Sequence, residues 1–152
     1  MSDDGITYQQ AEPADAGAVA AVWNRIAAED EPTGIDAPTD AAGVQRLFQE
    51  MRGAGAVFLA RAGAEPAGFS LVEPVAGEGG AARVRVYVAP EQRLRGIGRE
   101  LARMAIRWAR DYGYKKVKGY IPEGNEAALS FYSSLSPLVP LDATGVEFEL
   151  PL

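Results

Sequence analysis

The segment that most constrains the fold is a strand that runs into a helix across two glycines. Residues 84–88 alternate apolar β-branched residues with other side chains, which predicts a strand. Apolar residues over 97–108 recur mostly three and four positions apart, which predicts an amphipathic helix. Gly96 and Gly98 lie where this helix begins. The chain is therefore expected to place a glycine-lined helix start directly beyond the end of a strand.

This helix start has the properties of an anion site. The first turn of a helix has unpaired N–H groups and a partial positive charge, and glycine lets a phosphate approach the backbone. Arg93, Arg95 and Arg99 add positive charge around it. The P-loop motif is excluded because the chain has no Gly-Lys pair, and the Rossmann fingerprint because Leu101 replaces its third glycine. The pattern, Arg-x-x-Gly-x-Gly, predicts a pyrophosphate cradle.

The remaining segments predict a mixed α/β sheet. The predicted order of elements is β-α-α-β-β-β-α-β-α-β. The first half has a strand at 6–10, helices after Pro13 and after Thr39 or Asp40, and a hairpin at 57–72. The second half has the strand and helix at 84–112, a strand at 116–121, a helix from Asn125 to Tyr132 and a strand at 146–150, with Pro137 and Pro140 breaking the tail. The length of 152 residues is usual for one domain, so 1–152 is expected to be a single domain.

Two missing residue types restrict the chemistry. The chain has 0 Cys and 0 His, which excludes disulfides, cysteine nucleophiles, Ser-His-Asp triads and every His- or Cys-ligated metal. Catalysis therefore has to rely on carboxylates, phenols, hydroxyls, Lys, Arg and backbone amides. We expect no metal site.

Charge is distributed unevenly along the chain. The net charge of −6 argues against nucleic-acid binding. Residues 1–52 contain ten acidic and three basic residues, whereas residues 93–118 contain nine basic and two acidic residues. This asymmetry favours one anionic ligand and a second site that tolerates cations, although two solvated surfaces would give the same pattern. With no apolar stretch of about 18 residues and no basic leader, we expect a cytoplasmic protein without membrane contact.

Two motifs together resemble the GNAT superfamily of N-acetyltransferases. Val88-Ala89-Pro90-Glu91 followed by Arg93-Leu94-Arg95-Gly96-Ile97-Gly98 is similar to its acetyl-CoA signature, and Asn125-Glu126-Ala127-Ala128-Leu129-Ser130-Phe131-Tyr132 is similar to its second conserved element. The resemblance implies the acyl-CoA N-acyltransferase fold, with six to seven mostly antiparallel strands, a splayed centre and about four helices. After Tyr132 the chain departs from the family pattern, with Ser133–Pro137 in place of a basic residue and Gly-Phe.

The resemblance also implies acetyl-CoA as the cofactor. Backbone N–H groups of 93–99 would wrap its pyrophosphate, and the backbone of the strand before them would pair with the pantetheine arm. Unpaired N–H groups at the splay would hold the thioester carbonyl. The cofactor-binding residues are expected to be Val86, Tyr87, Val88, Arg93, Leu94, Arg95, Gly96, Ile97, Gly98, Arg99, Asn125, Ala128 and Tyr132.

For catalysis the resemblance implies direct transfer of the acetyl group to an amine, small-molecule or peptide. Tyr132 would meet the leaving sulfur, and a hydrogen bond is expected there because full proton transfer from a phenol to a thiolate is uphill by about 2 kcal/mol. The family often has a Glu on the strand before the signature, but this strand carries Arg83, Arg85 and Tyr87. Glu73 is the remaining candidate for the base that deprotonates the amine.

Alternatives stay open at this point. The acidic residues around 29–36 mildly favour a cationic acceptor, and each is otherwise a solvated loop acid. The missing strand carboxylate favours a non-catalytic acyl-CoA-binding or sensor domain of the same fold as the second hypothesis. An interaction domain without a cofactor is the third. Homodimers are common in the family, so a homodimer is left open, and the sequence does not identify the acceptor.

Overall fold

The structure is a computed structural model that describes residues 5–29, 35, 37–93, 95–122, 138–142 and 145–152, with side chains over 5–29, 35, 37–93, 95–119 and 149–152. Within these residues there are seven strands and three α-helices. In chain order they are β1 (Ile6–Gln10), α1 (Ala16–Ala27), α2 (Ala41–Met51), β2 (Ala56–Ala62), β3 (Glu65–Pro74), β4 (Ala81–Val88), α3 (Ile97–Tyr112), β5 (Lys116–Pro122), β6 (Leu138–Asp142) and β7 (Gly145–Pro151). The helix expected over 125–132 lies outside the described residues.

All seven strands form one sheet with the order β1-β2-β3-β4-β5-β7-β6. Every neighbouring pair is antiparallel except β4 and β5, which are parallel. Their pairing covers only Ala81 to Arg83 of β4, opposite Lys116 to Lys118 of β5. Beyond Arg83 the two strands separate while β4 stays paired with β3 as far as Val88. The predicted mostly antiparallel sheet with a splayed centre is therefore confirmed.

Each face of the sheet is covered by different helices. On one face α3 buries Leu101, Ala102 and Ala105 in a core that contains Ala82 and Val84 of β4. On the other face α1 and α2 pack over Leu59, Phe69 and Leu71 of β2 and β3, among other buried residues. Because side chains alternate along a strand, Val86 and Val88 lie on the α3 face, and Arg83, Arg85 and Tyr87 lie on the α1–α2 face.

Gly68 on β3 lets α3 come close to the sheet beside the splay. A Cβ at this position would lie 2.8 Å from the carbonyl oxygen of Tyr87 and 3.2 Å from a methyl carbon of Leu101. Both atoms are held in place, the first by the β4 backbone and the second by full burial. Any larger residue at Gly68 would therefore push α3 away from the sheet face on which it packs.

The tail differs from the sequence prediction. Pro140 was expected to break the chain, but it lies within β6, which pairs only with β7 at the edge of the sheet. An edge strand tolerates proline because it does not need every N–H for pairing.

The start of α2 decides between the two predicted caps. The cap is Asp40, whose carboxylate accepts a hydrogen bond of 2.8 Å from the N–H of Gly43. None of the described helices has the length and apolar character needed to cross a membrane.

Candidate active site

The glycine-lined start of α3 packs directly against β4. Gly96 is the N-cap and has φ +80°, a left-handed conformation that favours glycine. At Gly98 an added Cβ would lie 3.3 Å from Cγ2 of Val88 and 3.7 Å from Cγ1 of Val86. At Gly96 the corresponding space is open. The first turn of α3 thus combines tight packing on its strand side with free access where an anion would approach.

The edge of β4 next to this helix start is available for a ligand. In the described strands, β5 pairs with β4 only up to Arg83, so the backbone of 84–88 has no strand on that side. Unpaired N–H and C=O groups of a strand edge are ready to bond to an extended amide-containing chain. Acetyl-CoA has such a chain between its thioester and its pyrophosphate. The residues present therefore fit acetyl-CoA, with 84–88 beside the pantetheine arm and the α3 start facing the pyrophosphate.

The side chain of Arg93 does not extend into this cradle. Its two terminal nitrogens donate to the two carboxylate oxygens of Glu29, each at 2.8 Å, and Nε donates to the carbonyl oxygen of Val88 at 3.1 Å. Arg95 donates to the side chain of Gln92. The positive charge of the Arg93 side chain is therefore compensated by Glu29. The predicted backbone contact of Arg93 with the pyrophosphate stays a prediction.

A second ion pair lies next to the first. Arg25 near the end of α1 binds the carboxylate of Glu91 through both terminal nitrogens. The pairs Arg25–Glu91 and Glu29–Arg93 have opposite polarity and together form a clasp between the end of α1 and the segment that leads into α3. Bidentate pairs of this kind fix geometry more than single contacts do. The clasp therefore holds residues 91–93 in place from the α1–α2 face of the sheet.

A charged group lies on the α1–α2 face of β3 and β4. Glu73 is opposite Arg83 in the strand register, and its carboxylate lies 3.1 Å from the guanidinium of Arg85. The Glu73 side chain is 22% exposed and that of Arg85 is 38% exposed. The predicted base is thus on the face opposite α3, beside the point where β4 leaves β5.

Aromatic rings continue this face toward α1. Tyr87 packs against Phe69 with ring centroids 5.3 Å apart, and Phe69 stacks on Trp23 of α1 at 6.1 Å. The indole N–H of Trp23 donates to the carbonyl oxygen of Ala37 at 2.9 Å, which holds the segment before α2 against α1. The side chain of Tyr87 therefore belongs to the α1–α2 face, and its predicted contact with acetyl-CoA stays a prediction.

Lysines of β5 form a compensated cluster beside Arg83. Glu78 binds Lys116 and Lys118, with N–O distances of 2.7 Å to each, and Glu149 lies near both lysines. Hydrogen bonds from the two ammonium groups lower the pKa of Glu78 to about 2. The same cluster raises the pKa of Lys116, chiefly through its bond to Glu78.

The depressed pKa of Glu78 predicts a specific acid sensitivity. A carboxylate with a folded pKa of about 2 and an ordinary value of 4.5 stabilises the fold above pH 4.5, and this contribution is lost as the pH falls toward 2. Urea unfolding between pH 6 and pH 2 is therefore expected to show Glu78→Gln less stable than wild type above pH 4.5. The difference should shrink as the pH falls. Glu50→Gln, an exposed change on α2, is the control and should track wild type; a constant gap for Glu78→Gln would contradict the prediction.

Four predicted site residues lie outside the described residues or side chains: Leu94, Asn125, Ala128 and Tyr132. Their roles stay predictions. The structure does bring together Val86, Val88, Gly96, Ile97 and Gly98 at one junction, as the sequence predicts.

The clasp could not be predicted from the sequence because its partners lie 64 and 66 positions apart in the chain. The one sequence feature that pointed to contacts of this kind is the excess of acidic residues in 1–52 and of basic residues in 93–118.

Comparisons with known proteins give the class. Similar solved structures include a GNAT superfamily phosphinothricin acetyltransferase from Sinorhizobium meliloti in complex with acetyl-CoA, with TM-score 0.81, 15% identity, and coverage of 97% of this chain and 89% of that chain. A GCN5-related N-acetyltransferase from Kribbella flavida has TM-score 0.80 and 22% identity, with 99% and 100% coverage. A ribosomal-protein-alanine N-acetyltransferase from Brucella melitensis has TM-score 0.78 and 19% identity, with 96% and 99% coverage. No sequence among curated proteins matches this chain.

These similarities show that the chain has the fold of acyl-CoA-dependent acetyltransferases, with the glycine-lined helix start at the same kind of junction between a strand and a helix that the sequence predicts. The model of the acetyltransferase (GNAT) family matches residues 21–136, and the chain belongs to this family. It is a GNAT-type N-acetyltransferase that uses acetyl-CoA. The predicted fold and cofactor are confirmed.

Proposed function

We propose that this enzyme transfers an acetyl group from acetyl-CoA directly to a primary amine of a small molecule or peptide, without a covalent enzyme intermediate. The observation that carries the proposal is the glycine-lined start of α3, which packs on the half of β4 that does not pair with β5. This junction supports binding of the thioester arm and the pyrophosphate side by side. The chain has no Cys and no His, which agrees with a reaction that needs no enzyme nucleophile.

In this proposal the cofactor supplies the acetyl group as a thioester, and the chain holds and orients it. Backbone groups of Val86 and the backbone N–H of Val88 bond to the pantetheine arm, and N–H groups of 93–99 face the pyrophosphate, where the positive end of the helix favours negative charge. Unpaired N–H groups of β4 polarise the thioester carbonyl. Asn125 and Ala128 line the arm from the second motif.

Two side chains would assist the transfer, Glu73 as the base and Tyr132 as a hydrogen-bond donor. The amine arrives as ammonium, since free amines have a pKa near about 10.4, and Glu73 accepts its proton through water. The neutral amine nitrogen would then attack the thioester carbonyl carbon and lose its second proton to water as the amide bond forms. The carbon–sulfur bond would break, and CoA would leave as a thiolate to which Tyr132 donates a hydrogen bond. Support for Glu73 is its place on the face opposite α3 beside the splay; support for Tyr132 is its position in the second motif.

Replacing Tyr132 tests the leaving-group role. Tyr132→Phe is expected to lower kcat at least about tenfold with little change in acetyl-CoA affinity, because a hydrogen bond to a charged group contributes about 1.5–3 kcal/mol. Thiol release from acetyl-CoA with a panel of primary amines measures turnover, and calorimetry measures affinity. The control is Tyr112→Phe, which changes an exposed tyrosine of α3. Unchanged turnover in Tyr132→Phe would remove this residue from the mechanism.

The same panel tests the proposed reaction itself. Acetyl-CoA binding with no thiol release on any amine would instead favour an acyl-CoA-binding or sensor role. The observation in favour of that role is that β4 carries Arg83, Arg85 and Tyr87 in place of a carboxylate. The homodimer that the family resemblance leaves open stays a prediction, and light scattering of the purified protein measures it.

A further inference from the structure

Within the part of the chain that the structure describes, the acceptor has one open approach to the thioester. Helix α3 covers β3 and β4 on one face, so an acceptor reaches the splay from the α1–α2 face. On that face the apolar core ends with the fully buried Leu71 of β3. Leu71 is opposite Arg85 in the register, and the next pairs are Val72 with Val84 and Glu73 with Arg83. The floor of the acceptor approach beyond the core is therefore made of Arg83, Arg85 and Glu73.

This floor has a surplus of positive charge. Arg83 and Arg85 are two positions apart on β4 and share a face, so their Cα atoms are about 7 Å apart. Glu73 pairs with Arg85 and compensates one of the two charges. The neighbouring lysines are already compensated by Glu78 and Glu149. Among the residues whose side chains the structure describes, no carboxylate pairs with Arg83.

Such a floor selects against an acceptor that is only cationic. A surplus guanidinium beside the thioester repels a bare ammonium ion, whereas a carboxylate on the same molecule binds the planar N–H donors of arginine. The carboxylate of Glu73 is then placed to take the proton of the ammonium end through water, as in the proposed function. An acidic residue that could have favoured a purely cationic acceptor, Glu29, is neutralised by Arg93.

We infer that the acceptor is an amine that also carries a carboxylate close to its nitrogen, as a free amino acid does, and that Arg83 and Arg85 bind this carboxylate. The inference rests on the proposed function, because it names the substrate class of the same site. It makes Arg83 and Arg85 specificity-determining residues, with Arg83 supplying the charge that Glu73 leaves uncompensated, and it gives a role to the basic residues on β4.

The experiment compares matched amines. Thiol release is measured for the amino acids that have a primary amine and for their carboxamides, which keep the amine and lose the carboxylate. In at least one pair, kcat/KM for the free acid is expected to exceed that for the amide by about tenfold or more. Aspartic and glutamic carboxamides retain a side-chain carboxylate and show which carboxylate is bound. Carboxamides that react as well as every free acid would overturn the inference while leaving the proposed function intact.

Variants then assign the effect to the arginines. Arg85→Gln should raise KM for the preferred acid about tenfold to a hundredfold and change kcat/KM for its amide less than threefold, and Arg85→Lys should retain part of the preference. Arg83→Gln should act in the same direction. Arg46→Gln, on the exposed side of α2, is the matched control for loss of one positive charge. Equal losses for acid and amide in Arg85→Gln would show a merely structural role.

A binding measurement covers the case in which no amine reacts. Calorimetry with CoA-loaded protein titrates the same acids and carboxamides. Tighter binding of an acid than of its amide, abolished in Arg85→Gln, would support the inference even though the proposed transfer had failed. Absence of any acid preference in both binding and turnover would refute it.

Discussion

Gly96→Val is expected to weaken acetyl-CoA binding about tenfold or more and to lower thermal stability only slightly. Gly96 has φ +80° at the start of α3, a conformation that costs a residue with a Cβ about 1–2 kcal/mol. The free protein can relieve this strain by relaxing the segment before α3, whereas bound pyrophosphate needs the N–H groups in their present directions. Binding must therefore restore the strained geometry, and calorimetric titration with acetyl-CoA measures the loss.

Helix α3 provides a matched control at its other end. Gly113 is its C-cap and has φ +113°, so Gly113→Val introduces comparable backbone strain far from the proposed cradle. This variant is expected to lose stability and to keep its affinity for acetyl-CoA. Unchanged affinity in Gly96→Val, or an equal loss in both variants, would show that the start of α3 does not bind the pyrophosphate.

The local parts of the fold were predictable from the sequence because they depend on neighbouring residues. Alternation at 84–88, the glycines and the helical periodicity after Ile97 together determine the strand, junction and helix. Strand β6 was not predicted, since the effect of Pro140 depends on whether the strand lies at an edge of the sheet. The position at which β4 and β5 separate also could not be predicted, because the residues of β4 do not indicate where its pairing with β5 ends.

The site was predictable only where one segment builds it. The cradle at 93–99 follows from a single motif. The clasp joins residues that are distant in the chain, and the sequence around each of them does not distinguish it from an ordinary charged surface residue. Glu29 is the clearest example: its sequence context indicates a solvated acid, but in the fold it holds Arg93 through two bonds. The face that Arg85 and Glu73 share became visible only with the register of β3 and β4.

Glu73→Gln is expected to lower kcat about a hundredfold near neutral pH while the affinity for acetyl-CoA stays the same. Amide formation requires the ammonium group to lose its proton, and a positioned base contributes at least about a hundredfold to such a step. Glutamine preserves the size of the side chain and removes the proton acceptor. Steady-state thiol release with a reactive amine measures kcat, and calorimetry measures the affinity. Glu65→Gln, at the exposed start of the same strand, should behave as wild type.

The pH dependence separates this role from a structural one. As the pH rises toward about 10, an increasing share of the amine is already unprotonated, so the deficit of Glu73→Gln should shrink, whereas a deficit caused by misplaced strands would persist. Glu73→Gln also leaves Arg85 without its carboxylate partner, so KM for an acceptor that carries a carboxylate should stay the same or fall. Arg85→Gln should raise that KM. A pH-independent deficit accompanied by a higher KM would assign Glu73 to holding Arg85 in place and would leave the base to be found elsewhere in the chain.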